Sequence, residues 1–93
     1  MKKTKEDYKK QVEILKALAN EARLMVVEKL KEKEYSVGEL TKLLELDQST
    51  VSKHLSVLYN AGIVAYRKEG NLVFYRLLTP CVLEIFPCIC KVK

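Results

Sequence analysis

Two sets of residues in this chain have the types and spacing to do chemistry. The first is the run Gln48, Ser49, Thr50, Ser52, Lys53 and His54. It offers one amide, three hydroxyls, an ammonium and an imidazole within two helical turns. A glutamine amide can bond an adenine edge bidentately, and serine or threonine can bond either a base or a phosphate. The second set is Cys81, Cys88 and Cys90, which are all the cysteines of the chain. Thiolates select soft ions and clusters. His54 is the single histidine, which excludes a histidine-rich metal site. There is no Ser-His-Asp set, no glycine-rich phosphate loop and no paired-carboxylate pocket, so the chain does not read as an enzyme.

The elements that must position these groups follow from pattern and capping. Tyr8, Val12, Leu15, Leu18 and Ala19 lie near helical spacing with lysines opposite, which predicts a helix over roughly Lys5 to Ala19. Asn20 reads as an N-cap for a second helix, roughly Glu21 to Lys33, with Ala22, Met25, Val26 and Leu30 as its core stripe. Ser36-Val37-Gly38-Glu39 is a capping box that opens a short third helix, with Leu40, Leu43 and Leu44 inward. After a brief turn at Glu45-Leu46, Asp47 caps a fourth helix to about Asn60, with Val51, Leu55 and Leu58 inward. Gly62 suits the left-handed position that ends it.

Beyond Gly62 the residues become β-branched and aromatic. Ile63, Val64 and Tyr66, then Val73, Phe74, Tyr75 and Leu77, flank the turn residues Glu69-Gly70-Asn71 and predict a two-stranded hairpin. Thr79-Pro80 starts a last helix, and Pro87 breaks it. The expected fold is mainly α with a β-hairpin wing, in the order α-α-α-α-β-β-α, as one domain over residues 1–93.

The segments Ser36–Leu44 and Asp47–Asn60 form a helix-turn-helix candidate. In such a motif the second helix enters the major groove and its N-terminal residues touch base edges. The exposed side chains there are expected to be Gln48, Ser49, Thr50, Ser52, Lys53 and His54, the last two as potential cations. No acidic residue follows Asp47 in this helix. Arg67 and Lys68, near the hairpin tip, could touch the DNA backbone or minor groove. A polar first turn is also what any capped surface helix shows, and winged helices dock proteins as well as DNA. The hairpin directly behind the pair and the net charge of +5 tilt the reading toward DNA. No apolar run is long enough for a membrane span, and no apolar stretch follows the charged N-terminus, so a cytoplasmic location is expected.

Asp47 through Leu55, followed by Leu58-Tyr59-Asn60-Ala61-Gly62-Ile63-Val64, resembles the recognition-helix signature of the ArsR/SmtB repressors. Ile14 through Arg23 resembles that family's opening, and Arg67 through Leu77 its wing. The resemblance implies a winged helix-turn-helix homodimer paired through its first and last helices. It also implies repression of an operator, relieved by a metal ion, a metalloid or a thiol oxidant. Two departures matter. Soft-metal sensors of the family often carry Cys-x-Cys at the start of the third helix, where this chain has Tyr35-Ser36-Val37-Gly38-Glu39-Leu40. Zinc-type sensors use His and Asp on the last helix, and about Pro80 to Phe86 has neither.

That leaves the cysteines as effector candidates. In an unbroken helix Cys81 and Cys88 would stand about 10.5 Å apart along the axis, too far to share an ion. Pro87 disfavours that helix, so the tail could fold back toward Cys81 of the same or the facing subunit. Three thiolates suit trivalent arsenic or antimony better than structural zinc, which is almost always four-coordinate. A dithiol redox switch and simple packing of small buried thiols stand beside that reading. DNA binding itself is expected to need no cofactor, and an inverted-repeat duplex is the expected partner.

Overall fold

The computed structural model describes residues 4–78. The expected last helix and all three cysteines lie outside these residues. The described elements are α1 (Lys5–Leu18), α2 (Glu21–Glu32), β1 (Tyr35–Ser36), α3 (Val37–Leu44), α4 (Gln48–Asn60), β2 (Val64–Glu69) and β3 (Leu72–Leu77).

Each helix begins where a short polar side chain can satisfy otherwise unpaired amides. Thr4 and Asp7 form a reciprocal capping box at α1. Oδ1 of Asn20 accepts from the amides of Ala22 and Arg23 at 2.9 and 3.2 Å. Ser36 and Glu39 complete the expected capping box at α3, with bonds of 3.1 and 2.9 Å.

The core gathers residues of all four helices with Ile63 and Val64 at the start of the hairpin. Val26, Val27, Leu40, Val51, Leu55, Leu58, Ile63 and Val64 are fully buried. The sequence-based core differs at four places. Met25 and Leu43 are exposed, and Ala22 is half-buried, while Val27 is fully buried. The short helix α3 can turn only one narrow stripe inward, and Leu40 and Leu44, four residues apart, fill it. Val26 and Val27 both find cover because α2 touches α1, α3 and α4.

The wing is a three-stranded antiparallel sheet in the order β1-β3-β2, where the sequence predicts two strands. The added strand pairs Tyr35 with Tyr75 and Ser36 with Phe74. Two residues are too few to show a period-2 pattern, so their pairing is set by tertiary contact. The hairpin closes at Gly70-Asn71, with Glu69 opposite Leu72. Gly70 takes a left-handed φ of +64°, which a side chain would strain.

Candidate nucleic-acid interface

The turn between α3 and α4 is short because Glu45 adopts a left-handed conformation, φ 55°, and ends α3 at once. Asp47 then opens α4. Its carboxylate accepts from the hydroxyls of Ser49 and Thr50 and from the Thr50 amide. The two hydroxyls and then the amide hold Asp47 down to about 2. The far end of α4 closes with reciprocal bonds, Ile63 N to Leu58 O and Gly62 N to Tyr59 O, each 3.0 Å. With Gly62 at φ +79° and Ile63 buried, this is a Schellman cap with its hydrophobic contact.

Burial on one side of α4 defines what remains on the other. Val51, Leu55 and Leu58 face the core, so Gln48, Ser49, Ser52 and Lys53 stand exposed. Ser56 continues the stripe one turn beyond Ser52, as four-residue spacing requires, and sequence reading did not include it. Thr50 and His54 were expected to be exposed but are half-buried on the flank. They border a groove of about 630 Å³ that runs to Asn20, Glu21 and Leu46. For His54, named as a potential cation, burial and then the charge of Arg23 lower the pKa. Lys53 is therefore the charge that α4 carries near pH 7, beside no acidic side chain of the helix.

The wing is coupled to α4 through aromatic rings. Tyr59, in the last turn of α4, packs on Tyr66 of β2 at 5.2 Å between centroids, and Tyr66 packs on Tyr75 of β3 at 5.6 Å. The two expected wing cations differ in state. Arg67 donates Nε to Glu34 at 2.9 Å and Nη1 to Glu69, and its guanidinium lies 4.8 Å from the Phe74 ring centroid. Lys68 is exposed and, among the described residues, is in no ion pair. Arg23 and Glu34 were missed by sequence reading. Each meets its partner across more than thirty positions, and no local pattern signals such a contact.

No three His, Cys, Asp or Glu side chains among the described residues are grouped to hold a metal. No helix among them is long and apolar enough to cross a membrane. The arrangement is a polar, acid-free helix face held against a charged hairpin.

Comparison with known proteins gives this geometry a family. Residues 20–66 match the family of bacterial regulatory proteins described as the arsR family. The chain is 52% identical over 68 residues to the transcriptional activator HlyU of Vibrio cholerae, across 73% of this chain and 63% of that protein's length. The solved HlyU structure from that organism superposes with a TM-score of 0.86 at 40% identity, covering 95% of this chain and 100% of the other. The structure of the transcriptional repressor BigR from Xylella fastidiosa superposes at TM-score 0.79 with 35% identity, covering 98% and 100%. The homodimeric winged helix-turn-helix DNA-binding domain Mb0332 from Mycobacterium bovis superposes at 0.78 with 28% identity, covering 89% and 77%. The chain therefore belongs to the ArsR family of bacterial transcriptional regulators and has their winged helix-turn-helix fold.

Proposed function

We propose that this chain is a homodimeric repressor that reads an inverted-repeat operator with α4 and leaves it when its C-terminal thiols are engaged. The observation that carries the reading is the exposed stripe Gln48, Ser52 and Ser56 with Lys53 beside it, on a helix free of acidic residues. Base edges are reached by such side chains, and phosphates favour a face without carboxylates. On the wing, Lys68 is exposed and in no ion pair among the described residues, while Arg67 beside it is engaged by Glu34 and Glu69.

The dimer is supported by α1. Tyr8, Val12 and Leu15 are 56%, 47% and 55% exposed and lie on adjoining faces of one helix. Covering such surface contributes roughly 25 cal/mol per Å². A second copy would bring a second α4 about 34 Å away, one turn of duplex. The Mycobacterium bovis domain is described as homodimeric. Its likeness supports the same assembly here.

The effector proposal rests on the donor inventory. Residues 4–78 contain no cysteine, so the chain's thiol chemistry is confined to Cys81, Cys88 and Cys90. As a set these are soft donors, three in number, and fit As(III) or Sb(III). Binding releases protons, because thiols must become thiolates. Release of DNA requires that the ion bind the DNA-free dimer more tightly, and couplings of about 1–3 kcal/mol are typical.

The test is a duplex-binding titration in parallel with arsenite, antimonite, zinc and a polysulfide. Arsenite should dissociate the wild type and leave a Cys81→Ser, Cys88→Ser, Cys90→Ser triple variant bound. Dissociation of the triple variant by arsenite overturns the site. A response to polysulfide alone replaces the metalloid with oxidation of the same thiols.

A further inference from the structure

Arg23 joins two helices that are distant in sequence. Its Nε donates to the carbonyl of Ala17 at 2.6 Å, at the end of α1. Its Nη1 stands 3.4 Å from Nδ1 of His54, in the middle of α4. A guanidinium has only N–H donors. The contact therefore requires a lone pair on Nδ1, which leaves the one imidazole proton on Nε2.

The surroundings agree with a neutral ring. The charged groups that face His54 from α2 are Arg23 and, lining the same groove, Glu21. The turn before α4 contributes Leu46 and α4 contributes Thr50, neither of which titrates in the neutral range. Burial and then Arg23 lower the His54 pKa. A protonated ring would lose the Arg23 bond and face a like charge.

We propose that Arg23 is a positioning residue for DNA binding, fixing His54 as the neutral Nε2–H tautomer so that this flank of α4 offers a DNA backbone oxygen a hydrogen-bond donor without a charge. The inference rests on the reading of α4 as the helix that meets DNA. It differs from an ordinary histidine–phosphate contact in two measurable ways. A neutral donor releases no counterion, so it adds nothing to the salt slope of binding, whereas each neutralised phosphate adds about 0.9. A histidine held neutral also leaves affinity flat across the pH range where a free imidazole, pKa near 6.5, would charge.

The experiment begins without DNA. The untagged chain has one histidine, so nitrogen NMR of the ring reports His54 alone. At pH 7 the spectrum should show a protonated Nε2 and an unprotonated Nδ1. An Nδ1–H tautomer or an imidazolium overturns the proposal whatever the chain binds. Duplex titration follows, between pH 7.5 and 6. His54→Ala should weaken binding about fivefold, the size of one neutral hydrogen bond, with an unchanged salt slope. Arg23→Gln should make affinity rise as pH falls more than it does for the wild type, because the Arg23 charge no longer disfavours protonation of His54 while burial still does, and Arg23→Lys should restore the flatter profile in part. Thermal melts confirm that the variants fold, and the wild-type spectrum stands independently of them. A His54→Ala variant with unchanged affinity, or one with a salt slope lower by about one, overturns the DNA role while the tautomer result stands. Failure of the wild type to bind any duplex overturns the DNA reading itself.

Discussion

Glu34 and Arg67 meet at 2.9 Å between Oε1 and Nε, although thirty-three positions separate them in the chain. Glu69 takes the same guanidinium from the other side. The wing therefore spends one of its two adjacent cations on its own protein and leaves Lys68 exposed to solvent. Replacing Lys68 by Ala should weaken binding to all duplexes alike and lower the salt slope by about 0.9. Arg67→Ala should lower it by less. Glu34→Gln with Glu69→Gln should raise the slope by releasing Arg67. Equal slopes for the Arg67 and Lys68 variants would contradict this assignment.

The cap of α4 is acid-sensitive in a defined window. Asp47 is held down to about 2 by the Ser49 and Thr50 hydroxyls and the Thr50 amide. Its unfolded-state value is near 3.9. A lowered folded pKa contributes stability that is present above the unfolded value and lost as pH falls through the folded one. The wild type should melt above Asp47→Asn at pH 5, with the difference shrinking below pH 4 and gone below about 2. A pH-independent difference would show that charge at Asp47 plays no part.

Stability and reading should separate on opposite faces of α4. Leu55 is fully buried, and Leu55→Ala should cost about 2–5 kcal/mol of folding stability through the cavity it leaves. Ser52 and Ser56 are exposed, and their alanine variants should melt within about 0.5 kcal/mol of the wild type. Loss of stability at Ser52→Ala comparable to Leu55→Ala would mean that the faces are misassigned.

The exposed side of α1 gives a prediction about assembly. Leu15 is 55% exposed in the single chain, so a charge there costs the fold little. Leu15→Glu should fold normally, sediment as a monomer at micromolar concentration and bind duplex weakly. A wild type that already sediments as a monomer would remove the dimer from the account.

What was legible in the sequence was local. Asn20, Ser36-Glu39, Asp47 and Gly62 place four helix boundaries because each acts on amides or carbonyls within a turn of itself. Val51, Leu55 and Leu58 read correctly because α4 buries a single regular stripe. Beyond the misplaced faces at Met25, Leu43 and Val27, the failures were contacts between distant segments. Strand β1 exists only because Tyr35 and Ser36 find β3. The lowered pKa of His54 comes from burial and then from Arg23, and the engaged state of Arg67 from Glu34 and Glu69. Charge and residue type named candidate positions, but only the fold shows which of them already have partners.

The claim that α4 reads DNA is tested most directly by selecting a duplex for the wild-type chain and measuring equilibrium binding, at fixed salt, to that duplex and to each of its single-base variants. Gln48→Ala and Ser52→Ala should each keep the fold, lose about 1–3 kcal/mol on the selected duplex and relax preference at one position in each half-site. Both variants binding the selected duplex with wild-type affinity and wild-type base preference would contradict the account.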